Sequence, residues 1–243
     1  MKISEFLIES VNILDPKTVK KITNQEFHLV TNRAELGSGF YNKVYVADQF
    51  SVNKVVAIGQ HPQNNGYLRY INEVLNANHN RYLPQIFNVS MFDGDPETDF
   101  RKYYVVQIER LLPVEDISEE EILQLLEQTF GHRLTSKEKV EIRQKSKEWG
   151  NEWFSSSPYF EYLVRYIDSS ILGYQNRDPL LKSVKKTSDT MATFVNPELK
   201  NTIRIMKKFK NNSGLRSDLH LHNIMFRRSP YGIQMIFTDP FHD

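Results

Sequence analysis

The run Ser217-Asp218-Leu219-His220-Leu221-His222-Asn223-Ile224-Met225-Phe226 sets a carboxylate and an amide five residues apart. Ile233 to Phe237 then leads to a second carboxylate in Thr238-Asp239-Pro240. If the first run forms a tight loop and the two short strands after it fold back on each other, Asp218, Asn223 and Asp239 converge on one point. Oxygen donors of this kind suit a divalent cation carrying a polyphosphate, with one carboxylate left over to orient a hydroxyl. His220 and His222, two apart beside Asp218, also raise zinc-dependent hydrolysis. The further ligands that such a site needs are missing, and His242-Asp243 is a poor substitute.

The chain has to build the elements that hold this set. Its 243 residues suffice for one large domain or two lobes. A hydrophobic fraction of 40% and a charged fraction of 25% are those of an ordinary folded chain. The formal net charge of +1 gives no global field that would favour nucleic acid or a membrane surface. With no cysteine there is no disulfide, thiolate metal site or cysteine nucleophile, which fits a reducing compartment and a cytoplasmic location. No apolar run approaches the ~20 residues of a membrane span, and the N-terminus lacks the core of a signal peptide.

Taken in order, Ser4 to Leu14 reads as a helix closed by Asp15-Pro16, and a shorter helix is expected over Thr18 to Ile22. From Phe27 to Phe92 the texture is that of strands. His28 to Ala34 leads into Gly37-Ser38-Gly39-Phe40, a hairpin tip whose backbone can approach a ligand and whose amides can cradle phosphates. Val55 to Ile58 is a buried strand. Gly66 to Ala77 fits a helix, with Leu68, Ile71, Val74 and Leu75 on its core face and Glu73 near its middle. Leu83 to Val89 and Tyr103 to Ile108 read as two further strands. Helices follow. Ser118 and Glu121 form a capping box with a stop at Gly131, and Ser136 opens another helix. Pro158 follows Ser157 as cap, and Asn196-Pro197 starts a last helix that ends between Asn211 and Gly214.

The sequence of parts is a glycine hairpin, an apolar strand, a helix with a central Glu, two strands, a linker, helices, Asp-x-x-x-x-Asn, two strands and Asp. This resembles the protein-kinase-like family. The Asp-x-His-x-x-Asn-Ile form at Asp218 to Ile224 is similar to small-molecule and atypical kinases. With Thr238-Asp239-Pro240 it most resembles the early serine/threonine protein kinases of short-tailed, podovirus-type bacteriophages. The resemblance is strong from 217 to 240, moderate from 35 to 112, and little more than helical content from 113 to 210. It implies an α+β, bilobal fold with a helical extension at 1–24, a small antiparallel-sheet N-lobe at 25–112 and a helical, truncated C-lobe at 113–243. It implies ATP and Mg2+ as cofactors. Gly37, Ser38, Gly39 and Phe40 would cover the phosphates, and Val44 and Ala57 would pack on adenine. Ile108 would guard the back of the pocket, with Glu109 and Leu111 at the hinge. Asp218 would orient or deprotonate the acceptor hydroxyl, Asn223 and Asp239 would hold the metal, and His220 would tie the loop together. The implied partners are host proteins of an infected bacterial cell.

Two departures from the family pattern stand out. The third strand normally ends in Lys, but here it reads Val56-Ala57-Ile58-Gly59, and aligned on the podovirus-type sequence the lysine position falls on Ala57; either way the cation is absent. Lys43, Lys54 and Arg69 are the candidate replacements, with Glu73 as partner; Lys43 adjoins Val44 on one strand and should point to the opposite face. The second departure is that only four residues follow Asp239. No activation segment is therefore expected, and the helices at 117–210 should form the whole second lobe. A degenerate kinase that binds nucleotide or protein without transfer, and a small-molecule phosphotransferase, stay open beside the protein-kinase reading.

Overall fold

The structure, a computed structural model, describes residues 20–21, 23–38, 42–47, 53–60, 65–77, 80–93, 102–148, 157–172 and 195–242. It is a mixed α+β chain. The helix expected at 4–14 and the glycine tip at Gly39 and Phe40 lie outside these residues. The chain divides into two units, one drawn from Met1–Asn78 and Pro84–Arg110, the other from His79–Leu83 and Leu111–Asp243.

The first unit is a six-stranded sheet in the order β1-β5-β6-β4-β3-β2. Its strands are β1 (Lys20–Lys21), β2 (Glu35–Ser38), β3 (Asn42–Val46), β4 (Lys54–Gln60), β5 (Ile86–Phe92) and β6 (Tyr103–Glu109). All neighbours pair antiparallel except β1, which runs parallel to β5. Lys20 and Lys21 therefore belong to a strand and not to the expected short helix, because Ser90 and Met91 offer them an edge to pair with. β5 starts at Ile86, three residues later than Leu83, where the expected strand began.

Alternation along the strands gives the sheet two apolar faces. On one, Val55, Val89, Tyr104, Val106 and Ile108 pack with Tyr67, Leu68 and Ile71 of α2 (Gly66–Asn76). On the other, Tyr45, Val56, Ile58, Phe92 and Val105 pack with Phe27 of α1 (Asn24–Thr31). α1 replaces the strand expected from His28. Thr23 and Glu26 exchange side-chain and backbone hydrogen bonds in a capping box, which stabilises a helical start despite the β-branched residues that follow. Leu75 is 47% exposed, against the expected core position. Tyr67 and Tyr70 take the buried arc of α2 with Leu68, Ile71 and Val74, and the helix ends at Asn76.

The second unit holds α3 (Glu119–Phe130), α4 (Ser136–Glu148), α5 (Pro158–Leu172) and α6 (Pro197–Ser213). α3 starts on the Ser118–Glu121 capping box and stops at Gly131 with φ 75°. α6 starts at Asn196, whose Oδ1 accepts from Glu198 and Leu199 N–H, and stops at Gly214 with φ 72°. Both stops use the left-handed conformation that glycine takes without a Cβ penalty. α5 packs on α3, α4 and α6. It buries Phe160, Leu163, Val164, Ile167 and Ile171, the face its sequence spacing sets. After α6 come β7 (Arg216–Ser217), the hairpin β8 (Ile224–Ser229) and β9 (Gly232–Phe237), and β10 (Phe241–His242). Among the described residues no helix is long and apolar enough to cross a membrane.

Candidate active site

Asp218, Asn223 and Asp239 are brought together by a nested set of backbone closures in the second unit. β7 pairs antiparallel with β10, Ser217 opposite Phe241. Inside that ladder Asp218 N–H donates to Pro240 O at 2.9 Å. Further inside, Thr238 donates to Asn223 O twice, from N–H and from Oγ1, both at 3.0 Å. β8 and β9 then pair from Ile224 opposite Phe237. Asp239 thus sits between two residues that are bonded to the other side of the loop, one to Asn223 and one to Asp218.

Two of the three side chains, those of Asn223 and Asp218, also meet. Asn223 Nδ2 donates to Asp218 O at 2.7 Å and to Asp218 Oδ2 at 3.1 Å. The amide nitrogen is thus engaged within the loop, with His220 Nε2 at 2.9 Å as a third neighbour, and the amide oxygen is left as the group able to bind a cation. His220 Nδ1 accepts from His222 N–H at 3.2 Å. Its Nε2 lies 3.5 Å from Asp218 Oδ2 and 2.9 Å from Asn223 Nδ2. Burial pushes the His220 pKa down, against the pull of the Asp218 charge, and this favours the neutral ring. With one ring nitrogen accepting from the loop backbone and the other turned to Asp218, His220 braces the turn and is not presented as a zinc ligand. Among the described residues no group of three or more His, Cys, Asp or Glu is arranged to hold a metal.

The residues named for nucleotide contact lie in the first unit. Val44 is half-buried and packs on the α2 side of the sheet, and Ala57 is directly opposite it on β4. Ile108 is in the same cluster. Glu109 is buried at the end of β6: its N–H donates to Gln85 O and its Oε1 accepts from Gln85 N–H at 2.8 Å. Leu111, buried, is the first residue of the linker assigned to the second unit. Gly37 pairs with Val44, and a Cβ added to it meets nothing within 4 Å, so packing does not impose this glycine. Ser38 is the last residue of β2.

Gly59, one of the two positions at which the resemblance would set a lysine, is closed to a side chain. Gly59 lies between Asn42 of β3 and Tyr104 of β6 in one cross-strand row. The fully buried Tyr104 reaches over the glycine and its hydroxyl donates to Asn42 Oδ1. A Cβ at Gly59 falls within 3.0 Å of both partners. No side chain, lysine included, fits there unless Tyr104 moves. The three candidate replacements are placed elsewhere. Lys43 Nζ is exposed and pairs with Glu35 at 3.3 Å. Lys54 Nζ lies over the Phe87 ring, 4.2 Å from its centroid. Arg69 and Glu73 are half-buried on α2, outside the arc of Tyr67, Leu68, Tyr70, Ile71 and Val74 that is buried.

Asp168 on α5 is a neighbour of the site that sequence reasoning passed over. It accepts from Ser217 Oγ at 2.5 Å. The sequence did carry a sign of it, an acid at helical spacing between Val164 and Ile171. No protein-family model matches the chain, and neither a curated protein nor a solved structure matches it.

Proposed function

We propose that the chain is an ATP-dependent phosphotransferase, of the kind found in phage serine/threonine protein kinases that modify host proteins. The observation that carries the reading is the fixed approach of Asp218, Asn223 and Asp239. In this reading the Asp218 carboxylate accepts the proton of the acceptor hydroxyl, while Asn223 holds the residue in place through two hydrogen bonds, one to its backbone carbonyl and one to its carboxylate. The donor set fits magnesium: Asn223 Oδ1 and the Asp239 carboxylate are hard oxygens, and two protein ligands leave the remaining positions to water and phosphate. The ion, when bound, neutralises charge on the phosphates. Phosphoryl transfer asks the protein mainly for position and charge, and a sparse set of this kind can meet that demand. In the sheet unit, Gly37 to Phe40, Val44, Ala57, Ile108, Glu109 and Leu111 at its boundary are the proposed nucleotide contacts. The bilobal, kinase-like arrangement and a place in the cytoplasm of an infected bacterium belong to the same proposal.

The test is transfer of label from γ-labelled ATP with magnesium to lysate protein or to the chain itself. Asp218→Asn and Asp239→Asn should each abolish it while leaving the circular dichroism spectrum unchanged. Label that persists in both variants, or is absent with wild-type protein, overturns the reading.

One observation favours a second reading, a nucleotide-binding module without transfer. Tyr104 covers the place of the strand lysine, and two of the three replacement cations are engaged with Glu35 and Phe87. Under this reading MgATP raises the melting temperature without turnover. At a hundredfold excess over the dissociation constant the gain is about 2.7 kcal/mol. No shift at all counts against both readings.

A further inference from the structure

The proposed chemistry does not use Asp168, yet this side chain touches the loop that carries it. Ser217 Oγ donates to Asp168 Oδ1 at 2.5 Å across 49 residues of sequence, and Ser217 immediately precedes Asp218. Asp168 stands in the arc of α5 that also holds Val164 and Ile171. Asp168 itself is half-buried. What the acid adds is an acceptor for Ser217. The charges facing it are Lys210 on α6 and Arg165 on its own helix, both favouring the ionised form, and Asp218, which opposes it. Burial is the largest influence and pushes the Asp168 carboxyl up.

The segment that presents Asp218 needs an anchor of this kind. β7 has only two residues and, among the described residues, pairs only with β10, itself two residues long. A ladder this short is marginal on its own. α5, by contrast, has fifteen residues and packs on three other helices. The Ser217–Asp168 bond ties the short ladder to that rigid element.

We propose that Asp168 is a positioning residue for the Asp218 loop, acting through the Ser217 hydroxyl. This deepens the phosphotransfer reading and rests on it for its kinetic consequence, but not for its structural one.

The experiment uses the full chain with Ser217→Ala, Asp168→Ala, the double variant and Asp168→Asn, which keeps an acceptor oxygen. Two readouts are taken: hydrogen exchange at the Asp218 and Asn223 amides, and kcat and KM for MgATP. In both alanine variants, exchange at these amides should rise about tenfold or more while α3 is unchanged. kcat should fall about tenfold or more with KM within about twofold, because the loop is misplaced and not the nucleotide. The double variant should be no worse than either single one, since both remove one bond. Asp168→Asn should restore exchange and kcat. Unchanged exchange in the alanine variants, additive effects in the double variant, or faster exchange with unaltered kcat each overturn the proposal. If the wild-type chain transfers no phosphate, the phosphotransfer reading has failed, and the exchange data still decide whether Asp168 holds the loop. Ser217→Ala with Asp168→Asn keeps the test intact if Asp168→Ala does not fold.

Discussion

Gly59→Ala is the change that most directly probes the packing of Tyr104 across the sheet. The new Cβ falls within 3.0 Å of Tyr104 and Asn42, so the Tyr104 ring must shift. Tyr104 is fully buried in the cluster that holds Tyr67, Leu68, Val106 and Ile108, with its ring against that of Tyr67. Overpacking of this kind costs about 1–3 kcal/mol. Weakening the Tyr104–Asn42 hydrogen bond adds about 0.5–1.5 kcal/mol. Against this, alanine restricts the unfolded chain and returns about 0.4–1 kcal/mol. The net expectation is a loss of about 2 kcal/mol, within a range of roughly 0.5 to 4. Urea denaturation at constant m-value measures it. The same substitution in a Tyr104→Val background isolates the cause. With the ring gone, only the half-buried Asn42 side chain must move, and Gly59→Ala should become neutral or mildly stabilising. Gly59→Ala as stable as wild type, or an equal cost in both backgrounds, would refute the overlap. If the overlap holds, a longer side chain at 59, lysine included, is tolerated only with a smaller residue at 104 as well.

Asn196→Ala removes the side-chain acceptor for Glu198 and Leu199 N–H and should cost about 1 kcal/mol in urea unfolding, with α6 fraying first in hydrogen exchange. Asp168→Asn removes a carboxyl whose pKa burial holds above its usual value. The raised folded pKa favours the native state below the unfolded value of 3.8, and that advantage is lost as pH rises through the folded pKa. The variant should therefore exceed wild type in stability at neutral pH, and the difference should shrink in acid. Tyr82 is pushed up from 10.0 to about 12, mainly by burial. Between these values the unfolded chain releases the phenolic proton and the folded chain does not, so stability falls as pH rises through that window. Tyr82→Phe should flatten the fall, read by urea unfolding across the same range.

The elements that could be read from sequence are those with local chemical punctuation. Ser118 with Glu121, Gly131, Asn196-Pro197 and Gly214 mark helix ends through bonds between residues a few positions apart. α1 carries the same kind of mark, Thr23 with Glu26, but the aromatic and β-branched residues after it made a strand the expectation. β1 had no local mark, because two lysines become a strand only when β5 lies beside them. The nearness of Asp218, Asn223 and Asp239 is legible because a loop and one hairpin produce it. Asp168 with Ser217, and Tyr104 over Gly59, are not. Each depends on a partner 45 or more residues away, and the register that brings the partners together is set by the whole sheet or helix layer.

The nested closures around Asp218 also bear on how the site comes into being. Loop-closure cost grows slowly with length, and each inner pair shortens the loop that the next must close. Ile224 meets Phe237 within one hairpin, Asn223 meets Thr238 one step outward, and Asp218 and Ser217 meet Pro240 and Phe241 beyond that. The segment can zip outward from the β8–β9 turn, so the three oxygen-bearing side chains are assembled by contacts of low sequence separation, a topology that favours fast folding. Damage to the distant helices would then loosen the site's anchoring before it erased the site's geometry.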